Sequence, residues 1–296
     1  MSKKILFTII AILTLIIINL FSIPSVSEES NNKILYVGGE KTENYKTIQD
    51  AINDSKKGDT ILVYNGTYNE NLVINKSINL FGENKETTII NGENYQDVIT
   101  IQTLYVNISG FTIENGSFSG IFLDYFGNCR IYKNNINNNS IGLYLLGSAN
   151  SEIFNNTISN NSNYGLKTDK ITPIDDEEIN SENNTIYHND FINNSENALD
   201  ECSNLWSYKN QGNYWDDYKG LDKNNDGIGD NSYIITEEKS KDDYPLMMPY
   251  IGKLRIKEFY IDEGQLYKML AIAIVVAIIF CLPIGYIWYR KYYKVK

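Results

Sequence analysis

A nine-residue pattern recurs through the middle of this chain, and its spacing limits the possible folds more than any other feature. Asparagine, isoleucine and an aromatic residue take matching places in residues 128–136, 150–158 and 183–191, and a degenerate copy ends at 111–113. The first interval is 22 residues, and the second is 33, which is one period plus an 11-residue insertion. A fixed period of this size is typical of a solenoid, whose units bury apolar surface only against their neighbours.

Each repeat contains short strands and turns but no helical pattern. Runs of Ile, Leu, Val and Tyr are separated by Asn, Gly and Ser, which are turn residues. We therefore predict an all-β fold, a right-handed parallel β-helix with one repeat per coil and about six or seven coils. An amphipathic segment at 47–54, with Thr47 as N-cap, predicts a short helix that covers the first coil. Further strands are expected at 59–63, 72–74, 78–81, 88–90 and 98–101.

The two ends of the chain predict export and a membrane anchor. Lys3 and Lys4 precede an apolar run that ends at Phe21, which indicates a signal peptide cleaved after Ser27 or an uncleaved signal anchor. Residues 269–289 contain no charge, are long enough to cross a bilayer, and are followed at once by basic residues. By the positive-inside rule, the short tail is cytoplasmic and the bulk of the chain is extracellular.

These features predict seven segments and an acidic exported part. The two ends hold six lysines and arginines and no acidic residue, so residues 28–268 carry a net charge of −17, against −11 for the whole chain. Such an excess of carboxylates argues against nucleic acid as a partner and suits cations or neutral glycans. The predicted segments are a signal segment (1–27), an N-terminal cap (28–58), the β-helix (59–205), a C-terminal cap (206–249), a stalk (250–268), the transmembrane helix (269–289) and a basic tail (290–296).

The repeat register also bears on the two cysteines of the exported part. Cys129 and Cys202 are nearly three coils apart once the insertion is removed. Strand spacing then separates them by ~13 Å along the axis, beyond the ~7 Å limit on Cα separation in a disulfide. We therefore predict two free thiols.

Several stretches of sequence resemble known β-helix proteins. Residues 45–52, 58–63 and 66–82 look like the opening coils of the pectin-lyase-like superfamily. The later Asn-rich coils and the segment 212–218 (Gly-Asn-Tyr-Trp-Asp-Asp-Tyr) are similar to NosD-like proteins, a group frequent on archaeal surfaces. The resemblance covers roughly residues 34–249 and implies the fold. It implies no single activity, because the superfamily includes lyases, hydrolases, esterases, epimerases and non-enzymatic proteins.

The same resemblance orients the coil. In pectate-lyase-like proteins, stacked asparagines lie between the second and third sheets, and ligands lie along the first. That mapping assigns the first sheet to residues 120–124, 142–146, 165–169 and 198–202. Alternation along each strand turns two columns outward. The first column is Phe122, Tyr144, Lys167 and Asp200, and the second is Asp124, Leu146, Asp169 and Cys202.

This outward face is a candidate sugar-binding groove, because flat aromatic rings match the apolar faces of pyranoses. An acidic insertion within 170–182, which carries Asp175, Asp176, Glu177 and Glu178, is expected to border it. The alternative is an ordinary exposed face beside a solvated loop. The predicted ligand-binding residues are Phe122, Tyr144, Lys167, Asp124 and Asp169.

Catalysis on this face would depend on Asp124, Asp169 or Asp200. The first two are expected ~10 Å apart by strand spacing, at or beyond the ~6.5–9.5 Å of an inverting glycosidase, and Leu146 lies between them. The Asp/Gln/Arg pattern of pectin esterases and the metal-binding Asp cluster of lyases are not recognisable. Copper, which the NosD likeness suggests, favours imidazole and sulfur ligands, and the single His188 and two separated cysteines cannot assemble such a site.

The strongest local motif is an incomplete calcium loop. Side-chain oxygens at loop positions 1, 3 and 5, a backbone carbonyl at 7 and a carboxylate at 9 match the start of an EF-hand loop, but position 12 is Tyr233 instead of Glu. We predict a structural calcium ion here, and the alternative is an Asx-rich turn without metal. The predicted ligands are Asp222, Asn224, Asp226, Ile228 and Asp230.

The chain also contains ten Asn-x-Ser/Thr sequons, which carry glycan in hosts that glycosylate exported proteins. They begin at Asn53, Asn65, Asn75, Asn107, Asn115, Asn138, Asn155, Asn160, Asn183 and Asn193.

The leading hypothesis is a non-catalytic, membrane-anchored surface β-helix that serves envelope structure or adhesion and contacts extracellular glycans. The first alternative is a polysaccharide lyase or hydrolase that uses the same face. The second alternative, which the NosD likeness alone implies, is an accessory factor for a membrane complex.

Overall fold

The described part of the chain is a parallel β-helix built from three sheets. The computed structural model describes residues 32–171, 178–236 and 239–250. Within the coil, each strand pairs in parallel with the strands one turn before and one turn after it. We name the sheets A, B and C in the order in which the chain visits them.

The bounds of the elements show how short the strands are. Sheet A contains β1 (Ile34–Val37), β2 (Thr60–Val63), β5 (Asn79–Gly82), β8 (Asn107–Ser109), β11 (Arg130–Tyr132), β14 (Glu152–Phe154) and β17 (Thr185–Tyr187). Sheet B contains β3 (Gly66–Asn69), β6 (Thr88–Asn91), β9 (Thr112–Glu114), β12 (Asn135–Asn137), β15 (Thr157–Ser159), β18 (Asp190–Ile192) and β20 (Tyr214–Trp215). Sheet C contains β4 (Leu72–Ile74), β7 (Ile99–Ile101), β10 (Ser119–Asp124), β13 (Ile141–Leu146), β16 (Tyr164–Asp169) and β19 (Glu196–Asp200). An antiparallel hairpin, β21 (Tyr233–Thr236) and β22 (Ser240–Asp242), follows the coil, and the one described helix is α1 (Ile48–Asp54).

The coil has about eight turns, slightly more than the six or seven predicted. Strands β2 to β19 complete six coils of three strands each. Strand β1 adds a partial turn before them, and Leu205, which bridges to Thr185, adds another with β20. The prediction fell short because β1 precedes the helix and the last partial turn lies inside the segment assigned to the C-terminal cap.

The core is a stack of inward-facing apolar side chains, one or two from most strands. In sheet A, for example, Ile108, Ile131, Ile153 and Ile186 lie directly above one another and are fully buried. Each such side chain contributes about 1.5–3 kcal/mol by leaving water. The period-2 alternation of apolar and polar residues within these short strands therefore fixes which face of each sheet is core.

Helix α1 lies where the sequence predicts it. Thr47 is its N-cap and accepts a hydrogen bond from the Asp50 backbone N–H at 3.2 Å. Its buried residues Ile48, Ala51 and Ile52 belong to the core, and the helix contacts β1, β2 and β4. Its role in closing the end of the coil stays a prediction.

The stacked asparagines of the repeat form hydrogen-bonded ladders. At the corner between sheets A and B, the backbone N–H and the side-chain amide of Asn134 both donate to Oδ1 of Asn156, at 3.1 and 3.2 Å. Asn156 donates in the same way to Asn189, and Asn189 to Asn213. The left-handed backbone of this corner belongs to the preceding residue in each coil, such as Asn155 with φ of 58°.

Two further ladders occupy the other corners, and the sequence analysis did not find them. At the B–C corner, Asn139 donates to Asn161 and Asn161 to Asn194. At the C–A corner, the Ser151 N–H donates to Asn184, and Asn184 donates to Asn204. All three run in one direction, with donors pointing towards the C-terminal end of the coil.

Carboxylates accept the last donors of two of these ladders, the A–B and the C–A ladder. Asp242, which is fully buried, accepts from the Asn213 N–H at 2.7 Å and from Trp215 Nε1 at 3.0 Å. Burial raises the pKa of Asp242 to about 6, against these hydrogen bonds, which lower it. Asp200 ends the C–A ladder, because Asn204 Nδ2 donates to it at 2.8 Å. The last N–H groups of a ladder carry partial positive charge, and here a buried carboxyl group accepts their hydrogen bonds.

The predicted free thiols are confirmed, since Cys129 and Cys202 are both unpaired and buried. Burial raises the pKa of the Cys129 thiol to about 11, so it is protonated at neutral pH. No helix within 32–171, 178–236 and 239–250 is long and apolar enough to cross a membrane. The predicted signal segment and the predicted span at 269–289 lie outside the described residues.

Candidate functional site

The outer surface of sheet C, which we call the sheet C face, carries two columns of partly buried side chains. All five predicted ligand-binding residues lie on it, because alternation along β10, β13 and β16 turns them outward. The first column is Phe122, Tyr144, Lys167 and Leu199, and the second includes Asp124, Leu146 and Asp169.

Three aromatic rings form an apolar platform at the centre of this face. Phe122 and Tyr144 stack with ring centroids 5.2 Å apart and planes 16° from parallel. Phe118, which is 45% exposed, meets Tyr144 edge-on at 5.8 Å. The Lys167 ammonium lies 5.4 Å from the Tyr144 ring centroid, a cation–π distance. The platform therefore has an exposed apolar rim on one side and a cation on the other.

Asp169 fixes the polar groups beside the platform. It pairs with Lys167 Nζ at 3.0 Å and accepts a hydrogen bond from the Tyr144 hydroxyl at 3.4 Å. Burial and the charge of Asp169 raise the pKa of Tyr144. Burial lowers the pKa of Lys167, but the hydrogen bond and charge of Asp169 outweigh it and the pKa is raised. At neutral pH this site thus holds a charged ammonium and a neutral phenol.

Asp200 does not lie on this face, which corrects the assignment made from the sequence. Strand β19 pairs Lys167 with Leu199 and Thr168 with Asp200, so Leu199 occupies the outward position. The turn before β16 has one residue more than the turn before β19, and equal spacing of the sequence markers therefore misaligned β19 by one. A slip of one residue moves each side chain to the opposite face. For the same reason Cys202 leaves the second column, and it is buried.

The buried position of Asp200 excludes it from any reaction on the surface. Its carboxylate has no exposed area and accepts hydrogen bonds from Thr168 Oγ1 at 2.6 Å and Trp206 Nε1 at 2.8 Å. Ser240 Oγ also donates to it at 2.7 Å. These bonds tie the last coil to the β21–β22 hairpin, so the residue is structural.

The two remaining candidate carboxylates are poorly placed for joint acid–base chemistry. Asp124 and Asp169 are separated by the coil that carries Leu146 in the same column. Two strand spacings make ~10 Å, against ~6.5–9.5 Å for an inverting glycosidase. Asp124 also accepts a hydrogen bond from Gln102 Nε2 at 3.2 Å, and Asp169 is paired with Lys167. The geometry suits binding of a polar ligand better than its cleavage.

The ends of the acidic insertion border the sheet C face, as predicted. Ile171 and Ile179 exchange two backbone hydrogen bonds, of 3.0 and 2.8 Å, directly after β16. Lys170 Nζ pairs with Glu178 at 2.9 Å on the exposed side. The predicted acidic residues at 175–177 lie outside the described residues.

In the predicted calcium loop, side-chain oxygens accept hydrogen bonds from the backbone of the loop itself. Asp222 accepts from the Gly227 N–H at 2.9 Å, and Asp226 accepts from the Ile228 N–H at 2.8 Å. Asp230 accepts from the Lys223 N–H at 3.0 Å. In the part of the chain that the structure describes, no group of three His, Cys, Asp or Glu side chains is arranged to hold a metal ion. Calcium at this loop stays a prediction, with Asn224 and the Ile228 carbonyl as further ligands.

A second aromatic column, which was not singled out from the sequence, lies on the outer face of sheet A. Tyr132 and Phe154 stack at 5.0 Å and 2°, and Phe154 and Tyr187 stack at 5.2 Å and 7°. The Arg130 guanidinium covers the first two rings at 5.6 and 5.3 Å and pairs with Glu152 at 3.0 Å. The signal was present, because the fifth position of the nine-residue pattern is aromatic in every full copy.

Fold and surface together define the class of protein, a parallel β-helix whose sheets A and C both carry aromatic and charged side chains on their outer faces. The chain belongs to the NosD family, because the model of that family, described as "Periplasmic copper-binding protein (NosD)", matches residues 25–220. The resemblance to NosD-like β-helix proteins is therefore confirmed.

Two relatives share shorter stretches. A "Cell surface glycoprotein" of Methanothermus fervidus is 34% identical over 135 residues, which cover 45% of this chain and 21% of that protein. A "Probable ABC transporter binding protein NosD" of Stutzerimonas stutzeri is 46% identical over 55 residues, 18% of this chain and 13% of that protein. The chain thus matches about a fifth or less of the length of each.

Solved β-helix structures align with the chain at low sequence identity. A pectin methylesterase from carrot is 13% identical, covering 61% of this chain and 70% of that one, with a TM-score of 0.35. The ORF18 protein of Geobacillus virus E2 is 17% identical, covering 57% and 42% of the two chains, with a TM-score of 0.39.

The copper in the family description can be tested against the residues of this chain. Copper sites favour imidazole and sulfur ligands, and the whole sequence has one histidine, three cysteines and four methionines. His188 Nε2 lies 2.7 Å from Gln211 Oε1, and the His188 ring stacks on Tyr250 at 3.8 Å. Cys129 and Cys202 are buried within the coil. These residues do not fit a copper site, and no role here depends on copper.

Proposed function

We propose that this NosD-family chain is a non-catalytic surface β-helix that binds neutral glycans through the sheet C face. The observation that carries the proposal is the aromatic platform of Phe118, Phe122 and Tyr144 beside the fixed Lys167–Asp169 pair. Aromatic rims pack against the apolar faces of pyranoses, and the ammonium and carboxylate hydrogen-bond their hydroxyls.

The charge of this surface supports neutral glycans over polyuronates. Asp124 lies on the same strand as Phe122 of the platform, and Glu201 lies in the coil after Asp169 at the same edge. Lys167 is the one cation in these columns, and Asp169 already neutralises it. Added carboxylates on a ligand would therefore meet net negative charge, which costs affinity.

A location outside the cytoplasm fits the names of the relatives. One is a cell surface glycoprotein, and the family description is periplasmic. The predicted export signal and the uncharged segment 269–289 would place the coil outside a membrane and anchor it there. On this proposal the protein contributes to the envelope or to adhesion.

The test is a titration of the full-length protein, in detergent, with a panel of neutral and uronic-acid oligosaccharides. We expect a neutral oligosaccharide to bind and remain unchanged in length, and Tyr144→Ala to weaken it at least tenfold, a loss of about 1.4 kcal/mol. The matched control is Phe154→Ala, which removes a stacked ring of the same geometry from sheet A and should change the affinity less than twofold. Equal losses in both variants, or no binding to any neutral glycan, would contradict the proposal.

A catalytic role would appear as chain shortening in the same reactions. If oligosaccharides were cleaved and Asp124→Asn abolished the cleavage, the enzyme alternative would replace the binding function.

A second candidate, an accessory role in a membrane complex, is favoured by the match to a NosD described as an ABC transporter binding protein. The test is purification of the full-length protein from the membranes of its own cells after mild crosslinking. A stoichiometric membrane partner that is lost when 269–296 is exchanged for another anchor would favour this role over glycan binding.

A further inference from the structure

The ten sequons of the chain differ in whether the folded coil leaves them open. Asn65 Oδ1 accepts from Thr87 Oγ1 at 2.6 Å, and Asn107 Nδ2 donates to Asn79 at 2.6 Å. Asn115 Nδ2 donates to Asn91 at 3.0 Å, and Asn155 Oδ1 is buried. At Asn53, the hydroxyl of the sequon belongs to Ser55, which is buried and bonded within helix α1. At each of these five positions an atom of the sequon is buried or already bonded within the coil, and at Asn107 and Asn115 that atom is the amide nitrogen that a glycan would occupy.

Three other sequons fall at one place in the fold. Asn138, Asn160 and Asn193 are exposed and occupy the same B–C corner in three successive coils. Each has the left-handed backbone, with φ of 55°, 54° and 52°, so the three residues share one backbone conformation at this corner. Each directly precedes an asparagine of the B–C ladder, and the serine that completes each sequon follows that ladder residue.

The repeat itself explains this arrangement. The corner needs a residue that tolerates a positive φ, the ladder needs an amide, and the next turn favours a small polar residue. Asn-Asn-Ser satisfies these three needs and is at the same time a glycosylation sequon. The ladder residues Asn139 and Asn161 are buried, whereas all three corner asparagines are exposed.

We propose that Asn138, Asn160 and Asn193 form a row of N-glycan acceptors along the B–C corner, which borders the sheet C face. In the reaction, the side-chain amide nitrogen forms a bond to the anomeric carbon of an oligosaccharide carried on a lipid phosphate. The bond from that carbon to the phosphate oxygen breaks, the lipid phosphate leaves, and the amide releases one proton. No oxidant or reductant is involved. The proposal rests on the exported location but not on glycan binding by the sheet C face.

The spacing of the coil limits how the row is filled. Neighbouring acceptors are one strand spacing apart, ~4.8 Å, which is too close for two branched glycans that leave in parallel. Asn138 and Asn193 are two coils apart, ~10 Å. We therefore expect glycan at these two together or at Asn160 alone.

The experiment maps glycopeptides by mass spectrometry on the full-length protein purified from its own cells. We expect glycan on this row and none on Asn65, Asn107 or Asn155. Ser162→Ala, which removes the middle sequon without touching the corner, should abolish the Asn160 glycoform and raise double occupancy of Asn138 and Asn193. Ser162→Thr keeps the sequon and should restore the wild-type pattern.

The matched control is Ser109→Ala, which removes the Asn107 sequon on sheet A and should leave the intact mass distribution unchanged apart from the substitution. An unmodified row, glycan on Asn155 or Asn107, or simultaneous occupancy of all three row positions would overturn the proposal. If Tyr144→Ala loses oligosaccharide binding while its glycoform pattern stays unchanged, glycan binding by the sheet C face and glycosylation of the row are independent of each other.

Discussion

The outer faces of sheets A and C are built on the same coil, and they differ in how faithfully they repeat. On sheet A, the outward positions of three successive coils are Tyr132, Phe154 and Tyr187, stacked at nearly constant spacing. On sheet C, the outward residue changes from aromatic to lysine to leucine within four coils. The sheet C side also receives the acidic insertion, directly after β16.

The difference separates scaffold from candidate site. A column of identical rings is what the repeat generates by itself, because each ring packs on the ring of the coil before it. On sheet C, Lys167 interrupts the stack of rings, so that a cation and a carboxylate lie beside the remaining aromatic side chains. Interruption of the repeat therefore marks the surface where a ligand would be recognised.

The largest effect is expected from a change to the scaffold that both faces share. Asn156→Ala removes the acceptor of the Asn134 N–H and side-chain amide, and it removes the donor to the Ile131 carbonyl. Since these groups are buried, we expect a loss of about 3 kcal/mol or more in the free energy of unfolding, measured by chemical denaturation. Asn155→Gly, one residue away at the left-handed corner, is the control and should change it by less than about 1 kcal/mol.

The next effect concerns the buried carboxylate at the end of a ladder. The pKa of Asp242 rises from 3.8 to about 6 in the folded protein. Because the folded protein holds this proton more tightly than the unfolded chain does, the carboxyl group adds to the free energy of unfolding at pH values below its pKa in the unfolded chain. That contribution is lost as the pH rises from about 4 to about 6. The two-unit shift corresponds to about 3 kcal/mol. The unfolding free energy of wild type minus that of Asp242→Asn should fall by this order across the window, and a flat difference would refute the assignment.

Calcium at the predicted loop would stabilise the C-terminal end alone. At one hundred times its dissociation constant, a calcium ion adds about 2.7 kcal/mol to the free energy of unfolding. We expect chelation to lower the melting temperature of the wild type and to leave Asp226→Asn unchanged. Asp243→Asn, outside the loop, should respond to chelation as the wild type does. A melting temperature that ignores chelation in the wild type would remove the calcium prediction.

The smallest effect distinguishes the two faces directly. Phe154 stacks face to face on rings at both sides and lies under the Arg130 guanidinium. Tyr144 has one face-to-face neighbour, Phe122, and meets Phe118 edge-on and Lys167 at the rim of the platform. We expect Phe154→Ala to cost about 2 kcal/mol of stability and Tyr144→Ala about 1 kcal/mol. Phe154→Ala would thus cause the larger loss of stability, and Tyr144→Ala the larger loss of glycan affinity. The same ranking in both measurements would mean that the sheet C face is scaffold too.

The sequence predicted the coil well because every coil requires the same kinds of strand, turn and ladder residues at the same positions. The strands expected at 72–74 and 88–90, the N-cap Thr47 and the A–B ladder were all found within a residue or two. The B–C ladder could have been predicted from the Asn-Asn-Ser triplets, whose second asparagine is the ladder residue, whereas only Asn184 of the C–A ladder stands in a triplet of this kind. Stacking makes each coil repeat the environment of its neighbour, so local pattern and global fold agree.

The sequence was least informative where the period shifts. One extra residue in the turn before β16 was enough to place Asp200 on the wrong face, because strand alternation has a period of two. The role of Asp242 as a ladder end depends on a contact with Asn213, 29 residues away, and the burial of Asp200 involves a contact with Ser240, 40 residues away. Nothing periodic in the sequence marks such pairs.

The one-way direction of the asparagine ladders has a consequence for how a protein of this kind can change length. A coil duplicated in the interior finds an amide acceptor ahead of it and an amide donor behind it, so it joins the stack without a mismatch. A coil appended after the last one would instead meet Asp200 and Asp242, whose buried charges already hold the final donors. Gain and loss of coils are therefore confined to the middle of the molecule, while its C-terminal end must be inherited as a unit.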